Sequence, residues 1–134
     1  MRVLITTDGS EDSYKAVRSY IHLTHATQHD INILYVMPRI AIGRDAGYFQ
    51  LEQEREAAGA LNTVKEIFRE VGDVIKTELK QGDAAQTIVQ VAKDGEYDLI
   101  VMGRKGRGGF REYLLGSVSR YVVQNAPCSV FIGR

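Results

Sequence analysis

Hydrophobic positions along the chain form two kinds of segment. Short runs of apolar and β-branched residues predict four buried strands, which lie at residues 2–7, 31–37, 97–102 and 128–132. Residues 74–81 differ, because apolar or β-branched positions there alternate with charged ones such as Lys76 and Lys80. This alternation is typical of a half-exposed strand, and lysines suit the edge of a sheet.

Between these strands, apolar residues recur at helical spacing. The pattern predicts four helices, at about residues 11–27, 51–71, 83–94 and 117–125. Ser10 is a suitable N-cap for the first helix, and Gly72 and Pro127 act as stop signals after two others. Residues 39–50 have no clear period, so we expect a mobile loop there that closes over a ligand or contacts a partner.

Strands that alternate with helices predict an α/β fold, in which a parallel sheet has right-handed crossovers and helices on both faces. We expect one domain over residues 1–134, a three-layer α/β/α sandwich of five strands in the order 3-2-1-4-5 with four helices. In open parallel sheets, ligands bind outside the carboxyl ends of the strands, where the strand order reverses. With strand 1 central and strand 4 beside it, that point brings Asp8 next to Gly103.

Composition narrows the range of partners. Seventeen lysines and arginines balance seventeen aspartates and glutamates, so neither a nucleic acid nor an anionic membrane surface is an expected partner. Cys128 is the single cysteine, which excludes an internal disulfide and fits a reducing compartment. The opening run MRVLITTDGS is broken by Asp8 and resembles neither a signal peptide nor a membrane span. We therefore expect a cytoplasmic protein.

A glycine-rich basic loop follows the fourth predicted strand. Its glycines have the spacing Gly103-x2-Gly106-x9-Gly116, and Ser117 follows them at a predicted helix start. Glycine permits close approach of the backbone to a ligand, and a helix N-terminus offers unpaired N–H groups to an anion. The spacing matches neither a Walker A loop nor a dinucleotide-binding G-x-G-x-x-G motif. The residues alone leave two interpretations open, a phosphate site or a flexible loop in which Ser117 only caps the helix.

The segment GRKGRGGFREYLLGSVS, with VLITTDGS near the start and NAPCSVFIGR at the end, resembles the universal stress protein family. The resemblance covers the whole chain, and the glycine spacing is similar to that of the family's ATP-binding branch. It implies that four residues cradle the phosphates: Gly103, Gly106, Gly116 and Ser117. It also implies that Val118 lies just behind them. It also implies that Asp8 lies beside the ribose or the phosphates and a metal ion, and that the backbone of Val36 meets adenine.

The candidate nucleotide contacts include three sequence neighbours of these positions: Thr7, Met102 and Arg107. The chain departs from many relatives at Lys105, where they have histidine, and at Ser129, where they have proline. Asp8 has a second interpretation as a turn residue, because Asp-Gly-Ser is a common turn sequence. Four basic residues of the loop either screen phosphate charge or face solvent: Arg104, Lys105, Arg107 and Arg111.

Histidine and cysteine carry weaker signals. His22, His25 and His29 fall on one helical stripe away from the apolar face, and we expect them to face solvent rather than hold a metal. Cys128 begins an apolar strand, and no basic or histidine neighbour in sequence would lower its pKa. We expect a small buried residue there rather than a nucleophile.

The last predicted strand suggests a homodimer. Residues 126–133 carry no charge, and a bare sheet edge of this kind invites pairing with another chain. Members of the resembled family usually dimerise through this strand. We therefore expect a homodimer through residues 128–133, the alternative being that a loop or helix covers the edge.

The function expected from these features is that of a cytosolic regulator that binds ATP, ADP or AMP with Mg²⁺ at the strand 1/strand 4 switch point. Hydrolysis should be slow at most, because no general base or water-positioning residue stands out and binding alone does not lower a barrier. Two other classes stay open. One is a dimeric stress-response interaction module that binds no ATP, and the other is a nucleotide-hydrolysing or nucleotidyl-transfer enzyme.

Overall fold

The computed structural model of the protein describes residues 1–25, 29–69, 71, 75–105 and 115–134. Strands and helices alternate along these residues: β1 (Arg2–Thr6), α1 (Glu11–Thr24), β2 (Asp30–Met37), α2 (Ala46–Phe68), β3 (Ile75–Gln81), α3 (Ala84–Asp94), β4 (Leu99–Gly103), α4 (Ser117–Asn125) and β5 (Ser129–Gly133). Among the described residues, no helix is both long and apolar enough to span a bilayer.

The strands form one parallel sheet in the order β3-β2-β1-β4-β5. The central strand β1 pairs with β2 on one side and with β4 on the other, so Ile5 lies opposite both Ile33 and Val101. Both the fold class and the strand order predicted from the sequence are confirmed. The edge position predicted for β3 from its alternating charges is confirmed as well.

The helices cover both faces of the sheet. Side chains of β1 alternate between the faces: Val3 and Ile5 pack towards α1 and α2, whereas Leu4 packs towards α3 and α4. These three side chains are fully buried, as expected for a parallel strand that is covered on both sides. The result is the predicted three-layer sandwich, with one hydrophobic cluster above the sheet and another below it.

Helix α1 lies close against the carboxyl ends of β4 and β5, and two glycines permit this approach. Gly103 and Gly133 lie opposite each other in the β4–β5 register. A Cβ atom on Gly103 would lie 2.8 Å from the carbonyl carbon of Asp12, and one on Gly133 would lie 2.3 Å from the Cα atom of Ala16. The absence of side chains at these two positions therefore sets the start of α1 directly over the end of β4.

Three helix boundaries differ from the sequence prediction, one of them being the end of α2, which lies at Phe68 rather than at about residue 71. Helix α2 begins at Ala46, so the loop predicted over residues 39–50 is wrong in its second half. The helical period there is hidden because Tyr48 and Phe49 are 63% and 54% exposed and mark no inward face. Helix α1 ends at Thr24, because His25 adopts a left-handed conformation with φ 54°.

The early end of α1 overturns the predicted histidine stripe. His29 lies beyond the helix, where its Nδ1 atom shares a hydrogen bond with the hydroxyl of the buried Tyr20. The described residues contain no group of three or more histidine, cysteine, aspartate or glutamate side chains that could hold a metal ion. His29 therefore supplies a hydrogen-bond partner to the hydroxyl of Tyr20 in the core, and it does not extend a histidine stripe on the helix surface.

Candidate functional site

The turn between β1 and α1 is held by a network of hydroxyl groups. The Thr7 and Ser13 hydroxyls share a hydrogen bond of 2.8 Å, and the Ser13 hydroxyl donates to the Ser10 carbonyl at 2.7 Å. The Gly9 N–H donates to the Thr7 hydroxyl at 3.1 Å, and Gly9 has a left-handed φ of 82° that favours glycine. Asp8 accepts from the Ser10 N–H at 2.9 Å, so its carboxylate is oriented by the turn that it helps to form.

The β4–α4 connection is fastened at its two described ends. The Gly116 N–H donates to the Arg104 carbonyl at 2.9 Å. The Ser119 hydroxyl donates to the same carbonyl at 2.7 Å and lies 3.1 Å from the Gly116 carbonyl oxygen. Ser119 is only 2% exposed. These contacts fix where α4 begins relative to the end of β4.

Helix α4 begins without a side-chain cap. Gly116 is its N-cap residue, and Ser117 is its first helical residue, so the interpretation of Ser117 as the cap is wrong. The Arg120 N–H donates to the Gly116 carbonyl at 3.0 Å. The three N–H groups before it, at residues 117–119, have no acceptor within the helix. This end of α4 carries the positive end of the helix dipole.

A cleft of about 130 Å³ separates these two connections at the carboxyl edge of the sheet. Its walls come from β1, the start of α1, the first residue of α3, the end of β4 and the start of α4: Thr6, Thr7, Asp8, Ser10, Ser13, Ala84, Met102, Gly103, Lys105, Val118 and Ser119. The fold thus brings Asp8 and Gly103 to one cleft, where the predicted switch point lies. Asp8 and Lys105 are the only charged residues among these lining positions.

A second hollow continues along the same edge, between β2 and α3. Val36, Pro38, Arg39, Gly82, Asp83 and Ala84 line it. Ala84 lines both hollows, so they are neighbours along the ends of β4, β1 and β2, and together they are called the groove. Asp83 is the N-cap of α3 and accepts from the Gln86 N–H at 2.9 Å.

The strand ends leave the backbone of Val36 open on one side. The Thr7 N–H donates to the Leu34 carbonyl at 3.1 Å, so the backbone groups of Leu34 point towards β1. Val36 lies two residues further and points the same way, because strand residues alternate in direction. The last registered partners of these strands are Thr6 and Leu34, so β1 ends before it reaches Val36. The Val36 N–H and C=O therefore face the groove side rather than a strand.

The predicted contacts divide between several parts of this groove. Five of them line the cleft: Thr7, Asp8, Met102, Gly103 and Val118. Val36 lines the second hollow, and Gly116 and Ser117 form the start of α4. The predicted contacts Gly106 and Arg107 lie outside the described residues. The sequence prediction missed Ser13 and Ser119, whose buried hydroxyls hold the two connections in position. The sequence signal that could have identified them is a serine within the apolar stripe of a helix, because a buried hydroxyl requires a hydrogen-bond partner.

Cys128 lies away from the groove. It directly precedes β5, at the amino end of the sheet, and it is half-buried rather than fully buried. Burial, and to a lesser degree the Asp98 carboxylate, raise the pKa of the Cys128 thiol. A raised pKa disfavours the nucleophilic thiolate, which agrees with the expectation that this cysteine is not a nucleophile.

Comparison with known proteins gives one consistent family. The universal stress protein family matches residues 1–134. The universal stress protein MJ0531 of Methanocaldococcus jannaschii is 32% identical over 98% of this chain and 80% of its own length. The structure of universal stress protein UspA from Lactobacillus plantarum is 28% identical, with a TM-score of 0.83 over 100% of this chain and 97% of that one.

Two further structures share the fold at lower identity, and both contain a nucleotide. A universal stress protein in complex with cAMP is 22% identical, with a TM-score of 0.74 over 100% of this chain and 97% of its own. An AMP-bound protein of the family from Arabidopsis thaliana is 18% identical, with a TM-score of 0.69 over 98% of this chain and 90% of its own.

Proposed function

Because the chain belongs to the universal stress protein family, we propose that it is a cytosolic regulator that binds an adenine nucleotide, ATP with Mg²⁺ or its products ADP and AMP. The observation that carries the proposal is the groove, which has the Val36 backbone at one end and the N-terminus of α4 at the other. The occurrence of cAMP and AMP in two proteins of the same fold supports an adenine nucleotide as the class of ligand.

The two ends of the groove suit the two ends of a nucleotide. At the β2 end, the Val36 N–H and C=O supply one donor and one acceptor, which complement the edge of an adenine ring. At the α4 end, the N–H groups of residues 117–119 and the helix dipole favour a phosphate. Gly103 and Gly116 border this end without side chains that would obstruct the phosphates.

Asp8 is the residue that would hold a magnesium ion. Mg²⁺ commonly takes one or two carboxylates together with substrate phosphates, and Asp8 is the only carboxylate among the described residues that line the cleft. A single protein carboxylate makes a poor resident metal site but a sufficient anchor for an ion that arrives with the nucleotide. When bound, the ion would neutralise phosphate charge beside the Asp8 carboxylate.

The cleft favours binding over turnover. Its described walls contain hydroxyl groups and one carboxylate, and that carboxylate already accepts a hydrogen bond from the Ser10 N–H. A general base must lie within hydrogen-bonding reach of the attacking water and hold a suitable pKa. We propose no catalytic residue, and we expect at most slow ATP hydrolysis supported by the electrostatics of the cleft.

We also propose that the protein forms a homodimer through residues 128–133. Strand β5 is an edge strand that pairs only with β4 among the described strands. Its residues carry no charge that would discourage a second chain from pairing with it. No nucleic acid or membrane is part of the proposed set of partners.

Native mass spectrometry of the purified protein, followed by titration with Mg-ATP, tests the nucleotide. We expect a co-purified adenine nucleotide, or a melting temperature that rises with Mg-ATP because a ligand that binds only the folded state stabilises it. No bound nucleotide and no rise at millimolar Mg-ATP would favour the interaction module. Rapid multiple turnover that Asp8→Ala abolishes would instead identify an enzyme.

A variant at the helix start tests the location of the phosphates. Gly116→Val puts a branched side chain beside the N–H groups at the start of α4, so we expect it to abolish ATP binding. The dimer mass should persist in this variant, because Gly116 lies outside β5. Unchanged ATP affinity in the folded variant would contradict the proposed phosphate position.

A further inference from the structure

Two adjacent basic residues, Arg104 and Lys105, directly follow β4, and their surroundings differ. Lys105 is half-buried and lines the cleft, whereas Arg104 does not line it. The Arg104 Nε and Nη1 atoms are buried, and neither has a hydrogen-bond partner among the described residues. Of this pair, Lys105 is therefore the residue that borders a ligand in the cleft.

Among the described residues, the Lys105 ammonium forms no ion pair. The five ion pairs between described residues all involve other cations. Lys105 nevertheless lines the same cleft as Asp8, the one carboxylate among the described lining residues. A half-buried cation with no carboxylate partner in the described part of the chain is well placed to pair with an anion supplied from outside.

We infer that Lys105 contacts the phosphates of the bound nucleotide and decides how strongly binding depends on Mg²⁺. The inference rests on the proposed nucleotide site. The Asp8 carboxylate repels phosphate oxygens across the cleft, and either a divalent cation or an ammonium group can offset that repulsion. With Lys105 present, the cleft holds the phosphates with or without the metal. Without Lys105, the metal and the N-terminus of α4 have to supply the compensation.

Isothermal titration of ATP, once with excess Mg²⁺ and once with EDTA, tests this role. We expect Lys105→Gln to weaken binding by about tenfold in EDTA, the scale of one charge-assisted hydrogen bond. The loss with Mg²⁺ should be smaller, about threefold, because the ion replaces part of the missing charge. Lys105→Arg keeps the charge and should retain the wild-type ratio of affinities between the two buffers.

Lys93→Gln is the matched control. Lys93 is an exposed lysine in the last turn of α3, and this turn leads to the amino end of β4, opposite the cleft. The control removes the same net charge, and we expect wild-type affinity in both buffers. Equal losses in Lys105→Gln and Lys93→Gln would overturn the inference, because they would reflect net charge rather than contact.

The outcomes separate this inference from the proposed function. If the wild-type protein binds no adenine nucleotide in either buffer, both fail. If the wild type binds ATP and Lys105→Gln binds it equally well in EDTA, only the role of Lys105 fails. Salt dependence of the wild-type affinity in EDTA is a second measurement that needs no variant. A direct contact predicts weaker binding as salt rises, and an affinity unaffected by salt would contradict it.

Discussion

Gly103 offers a direct test of how the site is assembled. In Gly103→Ala, the new Cβ atom would lie 2.8 Å from both the carbonyl carbon of Asp12 and the backbone nitrogen of Ser13. Ordinary contacts of this kind begin at 3.4 Å, so the deficit is about 0.6 Å. Both atoms belong to the backbone of α1, so the strain cannot be relieved by rotating a side chain. The helix start itself has to move away from β4.

Overpacking of this kind costs about 1–3 kcal/mol of the free energy of unfolding. For a chain of 134 residues, each kcal/mol lowers the melting temperature by about 4 °C, so we expect a decrease of about 4–12 °C. Circular dichroism during heating, or urea unfolding, measures this change. ATP affinity should fall as well, because Ser10 and Ser13 lie at the displaced helix start and line the cleft.

Gly59→Ala is the matched control, because it makes the same chemical change where space is free. Gly59 lies within α2, and an added Cβ atom would have no neighbour within 4 Å. Alanine is the better helix former, so we expect a stabilisation of up to about 0.5–1 kcal/mol. A Gly103→Ala protein that melts within about 1 °C of the wild type would refute the packing argument. So would a Gly59→Ala protein that loses as much stability.

Two further predictions concern the described contacts. Ser119→Ala leaves the Arg104 carbonyl with one hydrogen-bond donor fewer. We expect the free energy of unfolding, measured in urea, to fall by about 1 kcal/mol. The control Ser129→Ala, at the exposed start of β5, should be nearly neutral. The raised pKa of the half-buried Cys128 implies stability that is present at neutral pH and is lost as alkaline pH approaches that pKa. Cys128→Ala should therefore show a shallower alkaline loss of melting temperature, and an identical pH profile would contradict this.

Much of the architecture was readable in the order of residues, because hydrophobic period is a local property. Buried runs such as residues 31–37 and the helical stripes between them are sufficient to predict a parallel sheet. The hydrophobic period did not predict the start of α2, because Tyr48 and Phe49 are exposed there and mark no inward face of the helix. It failed again after Thr24, where the left-handed backbone of His25 ends α1.

Individual contacts within the groove required the tertiary structure. Sequence spacing suggested that Gly103 is a glycine for the sake of a ligand, whereas its Cβ position is also excluded by the backbone of α1. The sequence treats Arg104 and Lys105 as equivalent charges, yet only Lys105 lines the cleft. Such differences depend on which element packs across the end of β4, and local pattern does not encode that.

By itself, the sequence determined the alternation of strands and helices, the strand order expected for such a fold, and the glycine-rich connection after β4 as the candidate anion site. Only the tertiary structure decided which groups meet at that site. Strand β1 ends two residues before Val36 in the β1–β2 register, so a strand backbone is left open beside the groove. The exposure of this backbone depends on the register between β1 and β2 and on the crossover that connects them. These two strands are distant in sequence, so their register is set by the packing of the whole chain rather than by either segment alone.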